Sequence, residues 1–189
     1  WPQWCHDQHH AAVRAQLNWP GGEMRPRLVH LNSWEACYFD HDEARITALA
    51  EAAAAVGVER FILDDGWFKG RNDDRAGLGD WTPDPAKYPH GLAPLANRIK
   101  AMGMEFGLWV EPEMVNPDSG LYRAHPDWAL HTKGRSQPTA RNQLVLNLAL
   151  PEVRDYLFGA LDRLLRDVPI AYLKWDHNRD LAPAGGRGQ

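Results

Sequence analysis

Short apolar runs alternate along this chain with amphipathic segments, and this alternation is the main secondary-structure signal. Four apolar runs are bounded by polar, Gly or Pro residues, which is typical of buried strands. These runs are residues 28–35, 61–67, 106–113 and 170–178. Apolar residues recur at helical spacing in the intervening segments. These segments are residues 46–56, 92–102 and 153–164. The alternation predicts an α/β fold with a parallel sheet and right-handed crossovers.

Local signals mark the ends of the predicted helices. Asp40 stands three residues before Glu43, which is the spacing of a capping box. Gly57 suits the position just past the end of the same helix. Pro151 suits the first turn of the last helix. The predicted helices therefore have defined ends as well as apolar stripes.

The regular alternation divides the chain into three regions. Residues 1–26 are polar, His-rich and interrupted by Pro and Gly, so we predict a linker or the end of an upstream region. Residues 27–180 contain all the predicted strands and helices. Residues 181–189 are rich in Gly and Ala, and we predict a disordered tail there.

Composition and charge exclude several classes of protein. With 44% hydrophobic and 24% charged residues among 189, the chain matches a soluble globular protein. A net charge of -4 argues against a nucleic-acid partner, and the absence of a long apolar run argues against a membrane span. Two cysteines, Cys5 and Cys37, cannot form a disulfide scaffold, which favours a reducing, cytoplasmic compartment.

Cofactor and metal motifs are missing or weak. None of the strands is followed by a Gly-x-Gly-x-x-Gly or Gly-Lys-Ser/Thr motif. Cys5 lies near His6, His9 and His10, but this polar segment offers little support for a zinc site. We therefore predict that the protein uses no metal and no cofactor.

All four apolar runs end with an aromatic residue beside a carboxylate. The endings are residues 32–35, 64–67, 109–113 and 174–178. At a single strand end, such residues could simply pack and cap the next helix. In a (β/α) barrel, however, the carboxyl ends of the strands form one rim that carries the active site. Carboxylates that bind hydroxyl groups, together with flat tryptophans that pack on a pyranose ring, predict a sugar site.

Lys174 and Asp176 are two residues apart in the last strand run, so strand alternation places both side chains on one face. A nearby ammonium would keep Asp176 ionised and able to act as a nucleophile. The alternative is that Lys174 is a solvated charge at a strand end.

The strand ends and the loops between them closely resemble glycoside hydrolase family 36, the bacterial-type α-galactosidases. The resemblance covers about residues 25–180. The matching motifs are Asn-Ser-Trp-Glu at 32–35, Leu-Asp-Asp-Gly-Trp-Phe at 63–68, Arg-Asn-Asp-Asp at 71–74, Leu-Gly-Asp-Trp at 78–81, Gly-Leu-Trp-Val-Glu-Pro-Glu-Met-Val at 107–115, His-Pro-Asp-Trp at 125–128, Arg-Asn-Gln at 141–143 and Lys-Trp-Asp-His-Asn-Arg at 174–179.

This resemblance implies a role for each matching residue. Asp176 occupies the position of the catalytic nucleophile. Asp64 and Asp65 occupy the positions that bind the 4- and 6-hydroxyl groups of galactose. Trp34 and Trp109 resemble walls of the sugar pocket. The residues that resemble contacts to other ring hydroxyls and that orient the nucleophile are Arg141, Lys174 and Asn178.

The resemblance also implies an incomplete barrel. The family fold is a (β/α)8 TIM barrel, and we count only about its first four βα units. A retaining glycosidase needs two carboxyl groups about 5–5.5 Å apart, and the family's acid/base lies on a later strand, whereas this chain ends 13 residues after Asp176. We expect a truncated chain that lacks the acid/base and is inactive alone. Because of its open sheet edges and apolar inner face, we expect the chain to aggregate, to dimerise or to be partly unstructured.

The expected function is therefore that of a retaining glycoside hydrolase, which in its full-length form releases terminal α-linked galactose from oligosaccharides such as melibiose or raffinose. The full-length parent is expected to be a homo-oligomer. Two alternatives stay open. The parent could be an α-N-acetylgalactosaminidase or a galactosyltransferase of the same family, or the chain could be a non-catalytic sugar-binding or non-functional fragment.

Overall fold

A four-stranded parallel sheet with helices on one face organises the protein in a computed structural model, which describes residues 2–16, 22, 24 and 26–181. In chain order, the elements are α1 (Gln3–Gln16), β1 (His30–Asn32), α2 (Trp34–Cys37), α3 (Glu43–Ala55), β2 (Arg60–Leu63), α4 (Ala93–Ala101), β3 (Glu105–Val110), β4 (Met114–Val115), α5 (Gly120–Ala124), a 3-10 turn (Pro126–Trp128), β5 (Leu144–Val145), α6 (Pro151–Asp167) and β6 (Tyr172–Trp175).

The sheet order is β1-β2-β3-β6, and every neighbouring pair is parallel. This confirms the α/β fold with a parallel sheet that the alternation predicts. Consecutive strands of the sheet are neighbours, and a helix follows each of β1, β2 and β3 before the next strand of the sheet. All four strands therefore point their carboxyl ends towards the same edge, where the predicted site residues lie.

The outer face of the sheet carries the hydrophobic core. Alternate residues of β2 and β3 are fully buried on this face, where α3 and α4 pack against the strands and against each other. The outer-facing side chains include Phe61, Leu63, Phe106, Leu108 and Val110. Helix α6 contributes an apolar stripe to the same core, as its helical spacing predicts. The buried members of this stripe are Val153, Leu157, Ala160 and Leu164.

The inner face of the sheet is more polar than the sequence analysis expects. Residues in register share a face, and one row pairs His30 with Arg60 and Arg60 with Glu105. The Arg60 guanidinium donates two hydrogen bonds to Glu105 Oε2, at 2.9 and 2.7 Å, and lies 4.3 Å from the centre of the Tyr172 ring. The expectation of an apolar inner face is wrong for this row, because charged side chains fill it.

Several local predictions also differ from the structure. The predicted strand 28–35 is a strand only over His30–Asn32, because helix α2 begins at Trp34. The N-cap of α3 is Asp42, whose carboxylate accepts the Arg45 backbone N–H at 2.8 Å, rather than Asp40. The predicted strand 106–113 ends at Val110, because Pro112 interrupts the ladder. A separate antiparallel pair, β4 with β5, follows it and lies beside the carboxyl end of the sheet.

The two ends of the chain add little to this fold. Helix α1 has no buried residue, and the division at residue 26 stays a prediction. Most of the predicted tail, residues 182–189, lies outside the described residues. Within the described part of the chain, none of the helices combines the length and the apolar character that crossing a membrane requires.

Candidate active site

A pocket of about 270 Å³ opens at the carboxyl end of the sheet. All eight site residues named from the sequence line it. The lining residues are Trp34, Phe39, Asp64, Asp65, Arg71, Asp74, Trp109, Glu111, Arg141, Gln143, Lys174, Asp176 and Asn178. The structure therefore brings the predicted residues together, whereas their individual roles stay predictions.

Asp176 follows the last residue of β6, and its carboxylate accepts three hydrogen bonds. Its Oδ2 accepts hydrogen bonds from Trp109 Nε1 at 2.9 Å and from Asn178 Nδ2 at 2.8 Å. Its Oδ1 accepts the His177 backbone N–H at 2.9 Å. Partial burial alone would raise the pKa of Asp176, but these bonds and the nearby Lys174 ammonium outweigh it and lower the pKa below the ordinary value. Asp176 is thus a carboxylate at neutral pH.

Lys174 and Asp64 connect two strands that are not neighbours. Lys174 Nζ donates to Asp64 Oδ2 at 2.6 Å across β3, passing the strand of Trp109. The register of the strands allows this contact. Lys174 is opposite Trp109, and the side chains of Lys174, Trp109 and Asp64 all point to the inner face. The ion pair orients Asp64, whose other oxygen accepts the Asp65 backbone N–H at 2.8 Å.

Asp65 belongs to a buried ion pair at one side of the pocket. Arg71 Nε and Nη2 donate to its two carboxylate oxygens at 2.9 and 2.7 Å, and Arg71 is only 2% exposed. Burial raises the pKa of Asp65, and the Arg71 guanidinium opposes this effect. The bidentate geometry fixes the plane of the carboxylate. Both Asp64 and Asp65 therefore present carboxylate oxygens in fixed positions.

A glycine makes the turn after these two carboxylates possible. Gly66 has a φ of 102°, and a Cβ atom there would lie 2.8 Å from His41 Nε2. His41 is buried and its Nε2–H donates to the Asp65 carbonyl oxygen at 3.0 Å. The sequence Asp-Asp-Gly thus combines two oriented carboxylates with the backbone freedom that this turn requires.

Aromatic side chains form walls of the pocket. Trp109 is buried, and its backbone carbonyl accepts the indole N–H of Trp67 at 2.9 Å. Trp34 follows β1, and its ring meets that of Phe39 edge-to-face at 5.1 Å. Flat rings next to carboxylates suit a ligand that has both an apolar face and hydroxyl groups.

The loop 141–143 completes the pocket with an unusual backbone. Arg141 and Asn142 have φ angles of 51° and 57°, in the left-handed region that disfavours most side chains. Asn116, which is fully buried, holds this loop by donating Nδ2–H to the Asn142 carbonyl oxygen at 2.8 Å. Asn116 Oδ1 also accepts from Arg71 Nη1 at 3.0 Å. One buried amide therefore connects the Arg141 loop to the Asp65–Arg71 pair.

Glu111 is a pocket residue that the sequence analysis did not single out. It is 0% exposed, its Oε1 accepts the Asn178 backbone N–H at 2.6 Å, and its Oε2 accepts Gln143 Nε2–H at 3.1 Å. Burial raises the pKa of Glu111, the bonds from Asn178 partly offset this, and the charge of Asp176 adds to the rise. Residues two apart in a strand share a face, so the position of Glu111 after Trp109 could have indicated that it points to the inner face.

The other missed lining residues come mostly from loops. They are Phe39, Arg71, Asp74 and Gln143. Arg71 and Asp74 belong to the motif 71–74 but carried no separate prediction, and no periodic pattern indicates that Phe39 and Gln143 reach the pocket. Among the residues that the structure describes, no group of three or more His, Cys, Asp or Glu side chains could hold a metal ion.

Comparison with known proteins identifies a family. The profile of the family described as Melibiase matches residues 5–189. The chain is 56% identical over 183 residues to an alpha-galactosidase of Escherichia coli, covering 96% of this chain and 26% of that protein. It is 46% identical over 177 residues to alpha-galactosidase AgaA of Geobacillus stearothermophilus, covering 94% of this chain and 24% of that protein. The chain thus spans about a quarter of the length of these relatives.

Solved structures give the same result. A crystal structure of the glycoside hydrolase family 36 alpha-galactosidase AgaA from Geobacillus stearothermophilus in complex with raffinose superposes with a TM-score of 0.85 at 47% identity, covering 87% of this chain and 23% of that one. TtGalA, an alpha-galactosidase from Thermus thermophilus in complex with p-nitrophenyl α-D-galactopyranoside, superposes with a TM-score of 0.69 at 31% identity, covering 82% and 31%.

Proposed function

We propose that this chain, which belongs to the Melibiase family, glycoside hydrolase family 36, forms the nucleophile side of the active site of a retaining α-galactosidase. The observation that carries the proposal is the environment of Asp176. Its carboxylate is ionised, is oriented by Trp109 and Asn178, and lies in one pocket with Lys174, Asp64 and Asp65. A retaining glycosidase requires such a carboxylate as its nucleophile.

In the proposed reaction, Asp176 attacks the anomeric carbon of a terminal α-linked galactose. Two donors hold Oδ2, whereas one donor holds Oδ1, so Oδ1 keeps more lone-pair density for the attack. Attack forms a glycosyl ester on Asp176 and breaks the bond to the leaving oxygen, which takes a proton from a general acid. Water then cleaves the ester, and the product keeps its anomeric configuration.

Recognition of the sugar is assigned to the other lining residues. Asp64 and Asp65 can accept from sugar hydroxyl groups through the lone pairs that Lys174 and Arg71 leave unused. Trp34 offers an apolar surface to the pyranose ring, the almost fully buried Trp109 forms part of the wall behind it, and Arg141 is exposed beside them. Solved relatives with raffinose and with stachyose support galactose-containing oligosaccharides as the ligand class.

The general acid is not proposed from Asp64, Asp65 or Glu111. Asp64 and Asp65 are held in ion pairs with Lys174 and Arg71, and Glu111 is fully buried with both of its oxygens accepting hydrogen bonds. We propose that the four parallel strands are the first four units of a (β/α)8 barrel and that the acid lies on a later unit. We therefore expect no turnover by this chain alone. The cytoplasmic location and the homo-oligomeric parent stay predictions from the sequence.

The alternatives make different predictions for binding. A member acting on α-N-acetylgalactosamine would bind that sugar better than galactose, and a transferase would pass galactose to an acceptor sugar rather than to water. A non-functional fragment would bind neither sugar. Galactose binding without turnover would fit the proposed nucleophile side, and also a non-catalytic sugar-binding chain.

Calorimetry with galactose and with N-acetylgalactosamine, together with an aryl α-galactoside assay, tests the proposal. The Asp64→Asn variant, which removes the partner of Lys174, should weaken galactose binding by about tenfold or more. The matched control is Asp155→Asn, which changes an exposed carboxylate on α6 and should bind like the wild type. Equal binding by both variants, or no binding by the wild type, would contradict the proposed site. Turnover that disappears in Asp176→Asn would contradict the expected inactivity and support the nucleophile.

A further inference from the structure

Glu111 connects three parts of the pocket without exposing any surface of its own. It follows β3, its Oε1 holds the backbone after β6 through Asn178, and its Oε2 holds the loop 141–143 through Gln143. Pro112 restricts Glu111 to an extended backbone, which keeps its side chain on the same face as that of Trp109. A fully buried acid with two partners from distant segments is a feature that sugar contact does not explain.

Glu111 is connected through Asn178 to the proposed nucleophile, Asp176. The last backbone bond between β6 and β3 joins Asp176 N–H to the Val110 carbonyl oxygen at 2.8 Å. Beyond it, the turn 176–178 leaves the sheet. There Glu111 accepts the Asn178 backbone N–H, while the Asn178 side chain donates to Asp176 Oδ2 at 2.8 Å. The position of Glu111 therefore determines where the Asn178 amide meets the Asp176 carboxylate.

The bond to Gln143 extends the connection to the strained loop. Gln143 is 1% exposed, and its backbone carbonyl accepts from Arg179 Nη1. Its Nε2–H donates to Glu111, whereas its Oε1 is buried without a hydrogen-bond partner. Glu111 is thus the group that fixes the side chain of Gln143, two residues after Arg141.

We propose that Glu111 is a positioning residue, whose carboxylate fixes the turn 176–178 and the loop 141–143 relative to β3 so that Asn178 holds Asp176 in its reactive orientation. The importance of this orientation for a reaction rests on the proposed function, whereas the positioning itself is a property of this chain.

A positioning role and a purely electrostatic role for Glu111 predict opposite changes in the pKa of Asp176 when Glu111 is replaced. A second negative charge near Asp176 makes its ionisation harder, so removing Glu111 as a charge would lower the pKa of Asp176. Removing Glu111 as an acceptor would release Asn178, and loss of the Asn178 bond would raise that pKa. The charged groups that act on this pair are Lys174 next to Asp176 and Asp65 next to Glu111. The sign of the change therefore separates the two roles.

The experiment is a pH titration of the Asp176 carboxyl carbon by NMR, using the chain labelled with ¹³C-aspartate and assigned with Asp176→Asn. In Glu111→Leu we expect the pKa of Asp176 to rise, as it should in Asn178→Ala, and the double variant should show no additional rise. A fall or no change in Glu111→Leu, alongside a rise in Asn178→Ala, would overturn the proposal.

Two further variants keep the test decisive if Glu111→Leu does not fold. Glu111→Gln keeps an acceptor for the Asn178 N–H, and rotation of the Gln143 amide can satisfy its new N–H group. This variant should therefore keep the pKa of Asp176 below the ordinary value. A clear rise in Glu111→Gln would overturn the proposal. The matched control is Glu105→Leu on the same strand, since Glu105 accepts from Arg60 Nε at 2.9 Å at the amino end of β3; it should leave the pKa of Asp176 unchanged.

Calorimetry with galactose separates this inference from the proposed function. If the wild-type chain binds galactose, Glu111→Leu should weaken binding by about tenfold, as expected when one buried donor loses its acceptor, whereas Glu105→Leu should not. Unchanged binding in Glu111→Leu would overturn the positioning role. If the wild type binds no galactose, the proposed function fails, and the titration alone still supports or overturns the role of Glu111.

Discussion

The buried ion pair of Asp65 and Arg71 makes one side of the pocket sensitive to the loss of either partner. Replacing Arg71 with Met would leave a buried carboxylate without its guanidinium, so we expect the free energy of unfolding to fall by about 3–5 kcal/mol. Urea denaturation followed by tryptophan fluorescence measures this change.

The exposed pair of Arg123 and Asp118 provides the matched control. Its two partners are 2.6 Å apart, and their side chains are 62% and 73% exposed. Arg123→Met should change the free energy of unfolding by less than about 1 kcal/mol. Similar losses in the Arg71 and Arg123 variants would show that burial of the ion pair does not determine its contribution.

His41 should make the stability of the chain depend on pH. Burial lowers the pKa of His41, and its bond to the Asp65 carbonyl oxygen opposes this effect. The unfolded chain binds a proton at this position below about pH 6.5, whereas the folded chain stays neutral there until a lower pH. The unfolding free energy should therefore decrease as the pH falls below about 6.5.

Denaturation at a series of pH values tests this dependence. His41→Gln should reduce the pH dependence of the unfolding free energy. The reduction should fall between the pKa of His41 in the unfolded chain and its lower pKa in the folded chain. His90→Gln, which changes an exposed histidine, should keep the wild-type slope. A His41→Gln slope identical to that of the wild type would refute the assignment.

The residues of the pocket divide into those that sequence reasoning could find and those that it could not. Asp64, Trp109 and Asp176 follow from a general rule, since strand ends of a parallel sheet meet at one edge. Gln143 lines the pocket and Asn116 supports it from behind, and both come from loops whose paths depend on long-range packing. No periodic pattern describes such loops, so Gln143 was indicated only as part of the motif 141–143 and without a role, and Asn116 was not indicated at all.

At the scale of elements, the cap of α3 gives a direct test of the structure against the sequence pattern. Asp42 accepts the Arg45 N–H, so Asp42→Ala should lower the free energy of unfolding by about 1 kcal/mol. Asp40, which the capping-box spacing indicated, forms an exposed ion pair with Arg45 instead. Asp40→Ala should therefore cost less than Asp42→Ala in the same urea titration. The reverse order would show that the sequence pattern, and not the observed cap, is right.

The strands and the long helices were predictable, whereas the shortest elements were not. The parallel sheet and α3, α4 and α6 follow from periodicity, because each buries one continuous stripe. Helix α1 lies in the segment predicted as a linker, and it buries no residue, so no packing contact of the described fold accounts for it. Strands β4 and β5 have two residues each, too few for alternation to appear, and their pairing depends on the fold around them.

At the scale of the whole molecule, exposed apolar groups and open edges should promote association. Strands β1 and β6 each pair with one neighbour in the described sheet. Helix α6 exposes Phe158 by 73% and Leu165 by 46%, seven residues apart and therefore on one face. We expect the chain to self-associate at micromolar concentration, and Phe158→Lys should reduce this association.

Sedimentation velocity over a range of concentrations measures the expected effect. Val56→Lys is the matched control, because Val56 is 80% exposed but lies at the end of α3, outside the α6 face. It should associate like the wild type. A wild-type chain that sediments as a single monomeric species at all concentrations would refute the prediction.

The consecutive left-handed residues Arg141 and Asn142 give this chain a conflict between folding and binding. Glycine would adopt these backbone angles without steric cost, so selection for stability alone would favour it at position 141. A guanidinium at the pocket would then be lost. Directed evolution of this protein for heat resistance should therefore treat position 141 as one where a gain in stability removes a group that a ligand would need.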